Sequence, residues 1–128
     1  MLQKIIISDF VLENNKNLSN IELSFQVFGQ PIGSAPIILV NHALTGNSNV
    51  AGENGWWNSL IGNQKTIDTT LFTVIAFNIP GNGFDGERYN LIDNYKDFTA
   101  ADIAQIFWEG LFQLHVDSLF AVDRKSVV

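Results

Sequence analysis

Two short, almost unbroken apolar runs, Ile37-Ile38-Leu39-Val40 and Phe72-Thr73-Val74-Ile75-Ala76-Phe77, constrain this chain more than any other feature. A strand with one face in water alternates apolar and polar side chains, whereas an unbroken run suits a strand covered on both faces, as in a parallel sheet. Parallel neighbours need a crossover of a dozen or more residues, and the segment between the runs is long enough to supply one. The expectation is an α/β fold with these runs near the middle of the sheet.

Around them the pattern changes. Residues 1–12 and 21–28 read as strands of an antiparallel hairpin, joined by the polar turn Glu13-Asn14-Asn15-Lys16-Asn17. In the second strand Ile21, Leu23, Phe25 and Val27 alternate with Glu22, Ser24 and Gln26, which predicts one wet face. Gly55-Trp56-Trp57-Asn58-Ser59-Leu60-Ile61 reads as a short helix. A longer helix starts at Thr99, which can cap it with Asp102 three residues on. Ile103, Ile106, Phe107, Gly110, Leu111 and Leu114 then recur at helical spacing, and Trp108 and Phe112 widen the stripe enough to predict a mostly buried helix. After a turn at Val116-Asp117, residues 118–122 read as another buried strand. The predicted order is β-β-β-α-β-α-β.

Composition narrows the function classes. The 128 residues carry a formal charge of −6 and no cysteine. No basic patch exists to neutralise phosphates or anionic lipid, so neither nucleic acid nor a membrane is an expected partner. Thiolate metal sites and thiol nucleophiles are excluded. The apolar run at the N-terminus breaks after Ile5-Ile6-Ile7, too soon for a signal-peptide core, and a cytoplasmic protein is the expectation.

In open α/β sheets ligands gather at the carboxyl ends of the strands, which singles out Asn41-His42-Ala43-Leu44-Thr45-Gly46 and residues 78–86. The run from Asn41 to Ser48, then Val50-Ala51-Gly52, Gly55-Trp56-Trp57, Leu60-Ile61-Gly62, Lys65 and Ile67-Asp68-Thr69, strongly resembles the homoserine O-acetyltransferase family of the α/β-hydrolase superfamily. The resemblance spans roughly residues 20 to 122. It implies the N-terminal part of an α/β-hydrolase fold: a mostly parallel sheet with an antiparallel N-terminal hairpin. It further implies acetyl transfer from the co-substrate acetyl-CoA to the homoserine hydroxyl through an acyl-serine, in methionine biosynthesis. Leu44 would supply one backbone N–H of the oxyanion hole, and His42, Thr45, Trp56 and Trp57 are the pocket-lining candidates. Asn49 stands where many members have histidine, and residues 78–86 replace a Gly-Cys-containing loop. A related serine acyltransferase, an esterase-type hydrolase and a non-catalytic α/β module that binds a small ligand or simply folds therefore stay open.

In this superfamily the strand at 118–122 should run into a Gly-x-Ser-x-Gly elbow. The chain reads Asp123-Arg124-Lys125-Ser126-Val127-Val128, with Arg124 and Val128 where glycine is needed. Residues 1–122 are accordingly expected to form the N-terminal half of a hydrolase domain and 123–128 an atypical tail from a shifted frame or a cloning boundary. The catalytic triad is then absent and the chain alone inactive, with exposed strand edges favouring a homodimer or self-association. Gly81-Asn82-Gly83-Phe84-Asp85-Gly86 spells a dinucleotide fingerprint, but no helix follows at once, so a turn with positive φ at Asn82-Gly83 is expected. His42 reads as a loop anchor or a general base, and His115 as a structural residue at a helix end. Asp85, Glu87, Asp93 and Asp97 read as a solvated face.

Overall fold

A computed structural model of the chain describes residues 1–43, 46–84 and 98–125. Its elements are β1 (Gln3–Val11), β2 (Asn17–Gly29), β3 (Ile37–Asn41), β4 (Ile61–Gly62), β5 (Ile67–Asp68), β6 (Thr73–Phe77), α1 (Ala100–Gln113) and β7 (Ala121–Arg124). The main sheet has the order β1-β2-β6-β3-β7, and β4 and β5 form a small separate pair. β1 runs antiparallel to β2 and β2 antiparallel to β6, while β3 lies parallel to both β6 and β7. The fold is the expected one: a hairpin leading into parallel central strands.

The apolar runs of β3 and β6 are unbroken because each face of the sheet has its own core. Ile37 and Leu39, with Ile75 and Phe77, pack with Leu23, Phe25, Ile106, Phe107 and Leu111 on the α1 side. Ile38, Val40, Val74 and Ala76 face the opposite way, onto Val50, Ala51, Ile61 and Ile67. Phe77 is the pivot on the helix side, its ring 5.1 Å from Phe107 and 5.7 Å from Phe25. Gly110 lets α1 come this close, since a Cβ there would lie 2.7 Å from Leu23 Cδ2 and 2.9 Å from Phe77 Cε1.

Both ends of α1 close through the local sequence. Thr99 Oγ1 accepts from the Asp102 N–H while the Asp102 carboxylate accepts from the Thr99 N–H, a complete capping box. Asp102 is buried and also accepts from the Glu13 N–H at 3.0 Å, tying the helix to the turn after β1. At the other end His115 takes φ 60°; its N–H donates to the Phe112 carbonyl and the Val116 N–H to the Leu111 carbonyl, closing a Schellman turn.

The structure corrects several expectations. Residues 56–60, within the stretch 55–61 expected to be helical, form turns instead, because the Trp56 and Trp57 N–H groups donate back to the Asn49 and Val50 carbonyls. A segment this short gains too few internal bonds to offset helix nucleation. The next residues instead pair as β4 and β5, with Ile61 and Ile67 buried. Ser24 and Gln26, expected on a wet face, are buried beneath the segment carrying Ser48. Trp108 and Phe112 are 63% and 74% exposed, so α1 buries one stripe only. The last strand begins at Ala121 rather than 118, continues to Arg124 opposite Asn41, and leaves Phe120 and Val122 exposed. It is an edge strand among the described residues, so one of its sides lacks cover. Positive φ in the glycine motif falls on Gly81 and Gly83, not on Asn82.

Candidate functional site

β3 and β6 are adjacent and parallel, so the segments that leave their carboxyl ends emerge side by side. His42 joins them. Its Nε2 accepts the Ile79 N–H at 3.0 Å, and its Nδ1 lies against the Ala43 carbonyl oxygen. A carbonyl can only accept, so the proton sits on Nδ1 and the ring is the neutral tautomer. Burial holds the His42 pKa below its ordinary 6.5, with the Ala43 carbonyl opposing in part. Both nitrogens are therefore spoken for within the two loops. Gly46 packs against this clip: its N–H donates to the Ala43 carbonyl at 2.8 Å, and a Cβ on it would lie 2.8 Å from His42 Cβ.

Beneath this clip lies a buried polar cluster that the sequence pattern did not reveal. Asn78, directly after β6, donates through Nδ2 to Ser24 Oγ (2.9 Å) and Ser48 Oγ (2.8 Å). Its Oδ1 accepts the Ser48 N–H (2.8 Å) and Asn82 Nδ2 (3.0 Å), while Ser48 Oγ donates to Gln26 Oε1 at 2.7 Å. Ser48 and Asn78 are 0% and 2% exposed. Ser24 and Gln26 looked like water-facing members of an alternating strand, and nothing local to Ser48 or Asn78 marks them as partners. Nearby, Asn41 Oδ1 is buried without a hydrogen-bond partner among the described residues.

Trp56 and Trp57 stack with ring centroids 5.3 Å apart and pack against the core of Ile38, Val40 and Val74. Trp56 Nε1 donates to the Asn47 carbonyl at 2.8 Å, which fastens the pair to the loop after β3. The Lys125 ammonium stands 5.8 Å from the Trp56 ring centroid. Two wide clefts, of about 530 and 590 Å³, lie elsewhere: one beside Gly29, Gly52 and Lys65, the other between residues 32–37 and 115–120. The second opens at the amino ends of β3 and β7, away from the strand ends where His42 sits. Leu44, Thr45, Ser126 and the carboxylates Asp85, Glu87, Asp93 and Asp97 lie outside the described residues. His115 is exposed, lines the cleft beside residues 32–37 and serves the helix cap.

No protein-family model matches the chain. Homoserine O-acetyltransferase of Geotalea uraniireducens (strain Rf4) is 32% identical over 135 residues, covering 91% of this chain and 36% of that enzyme. The crystal structure of homoserine O-acetyltransferase from Bacillus anthracis superposes with a TM-score of 0.82 at 24% identity, over 98% of this chain and 40% of that one. Esterase E22 superposes with a TM-score of 0.78 at 26% identity, over 98% of this chain and 41% of that one. The chain spans about a third of the length of the curated relative. The loop sequence after β3, the mixed sheet that carries it and the relatedness over nearly the whole chain agree: the chain is similar along most of its length to homoserine O-acetyltransferases and has the fold of the α/β-hydrolases.

Proposed function

We propose that this chain supplies the oxyanion side of an acyltransferase that moves an acetyl group from acetyl-CoA to the homoserine hydroxyl in the cytoplasm. The observation that carries this reading is the loop after β3, fastened at the carboxyl ends of parallel strands by His42 and the Asn78 cluster. A rigid strand-end loop can present a backbone N–H to a developing oxyanion without reorienting it, which is where acyl-transfer enzymes gain much of their acceleration. In this reading the Leu44 N–H is that donor, His42 anchors the loop, and Thr45, Trp56 and Trp57 line the acyl pocket. The reaction also needs a serine nucleophile with its base and acid. His42, with both nitrogens engaged by backbone, is not that base.

The test is fragment complementation. The 128-residue chain is assayed alone, then co-expressed with the remaining C-terminal part of the Geotalea relative, for O-acetylhomoserine formation and for p-nitrophenyl acetate hydrolysis. The chain alone is expected to show neither activity, and the reconstituted pair to transfer acetyl groups to homoserine. Hydrolysis restored without transfer would favour an esterase, in line with the likeness to esterase E22. Turnover by the chain alone that vanishes in Ser126→Ala would overturn the division of roles.

A further inference from the structure

We propose that Asn78 is a positioning residue for the acyl-transfer site, a role that rests on the reading above. The argument starts from hydrogen-bond capacity. An amide side chain has two donor hydrogens and an acceptor oxygen with two lone pairs, and here every one of them is used: the hydrogens by Ser24 and Ser48, the lone pairs by Ser48 and Asn82. Its backbone N–H donates to the Ser24 carbonyl as well. Full occupancy fixes which way the amide faces, because a flip would set donor against donor at the Ser48 N–H.

The partners come from separate parts of the chain. Ser24 lies on β2, Ser48 in the segment after β3, and Asn82 in the segment after β6. Ser48 is held from its backbone and its hydroxyl at once, and the hydroxyl passes its own hydrogen on to Gln26. A core built only for stability would fill this volume with apolar groups. A buried polar network whose members are all satisfied instead selects one arrangement, since any shift of the loop strands donors and acceptors away from water. The path from Asn41 to Ser48 is short and His42 clips its start to Ile79. Asn78 clips its end, so His42 and Ser48 are both tied to the segment that leaves β6.

The consequence is selective. Removing Asn78 frees the segment around residues 46–50 while β1, β2 and α1, held by their own apolar core, stay ordered. Native-state amide exchange on the 128-residue chain reads this directly. Asn78→Ala is expected to speed exchange at Ser48, Val50 and Ile79 by about tenfold or more, beyond any change at core amides of β2 and α1. Ser24→Ala removes one bond only and folds under milder strain; it is expected to give a smaller effect at the same amides. In the reconstituted enzyme Asn78→Ala is expected to lower kcat by about ten- to a hundredfold with the KM for homoserine and acetyl-CoA little changed. Uniform exchange across core and loop in both variants would show a merely structural asparagine and overturn the proposal. Selective loosening with unchanged kcat would overturn the positioning role. Failure of reconstitution by the unmutated chain would instead strike the acyl-transfer reading and leave the exchange result standing.

Discussion

A single imidazole shows how position sets the chemistry of a residue. His42 could have been a base, yet its nitrogens face a backbone carbonyl and a backbone N–H, and burial favours the neutral form. A folded pKa below the ordinary 6.5 means that the unfolded chain binds a proton first as pH falls. The His42 contribution to stability is therefore complete above pH 6.5 and is lost as pH drops through the folded value. Thermal melts between pH 8 and about 5 should show the unmodified chain losing stability more steeply on acidification than His42→Asn, which has no imidazole to charge. Equal slopes for the two would show that His42 is not buried neutral. His42 was visible in the sequence as a loop residue of interest, but its tautomer was not, because Ile79 lies 37 positions away.

At the scale of elements, α1 carries two predictions with opposite intuition. Glycine inside an exposed helix costs about 1 kcal/mol relative to alanine, so Gly110→Ala would ordinarily stabilise. Here the added methyl would meet Leu23 and Phe77 at under 3 Å, and overpacking of this kind costs about 1–3 kcal/mol. The substitution is expected to destabilise, as denaturant titration would show; a rise in midpoint would mean that α1 stands off the sheet. Asp102→Ala removes the reciprocal cap and strands the Glu13 N–H, and is expected to cost about 2 kcal/mol. Asp102→Asn keeps an acceptor and should cost less. The cap was legible as Thr99 with Asp102 three residues on, since both partners lie within one turn. The link to Glu13 was not. The turns at 56–60 show the reverse: an apolar, aromatic segment that reads as a helix is pulled off that path by bonds to Asn49 and Val50.

For the whole molecule the governing feature is uncovered apolar surface. Trp108 and Phe112 stand out from α1, Val122 from the edge strand β7 and Phe120 from the residue just before it, each more than half exposed. Edge strands with free backbone groups and apolar side chains recruit other chains. The 128-residue chain is expected to self-associate in a concentration-dependent way, measured by sedimentation, and Val122→Lys to shift it toward monomer by placing a charge on the edge. A strict monomer at all concentrations with a sharp thermal transition would contradict this.

Local pattern was enough for everything that depends on near neighbours. The hairpin followed from the polar turn at 13–17 and alternation in β2, the parallel strands from unbroken apolar runs in β3 and β6, and the cap of α1 from residues three apart. The likeness to homoserine O-acetyltransferases followed from motifs spread along the chain in a fixed order. What local pattern could not reach was any property made by partners far apart in sequence. Ser24 and Gln26 are polar, and polarity predicts water until another segment is known to lie on top of them. Asn78 meets Ser24 across 54 residues and Ser48 across 30. Periodicity reports which face of an element turns inward; it carries no information on which polar groups will meet there, because that is fixed by the packing of one strand end against another.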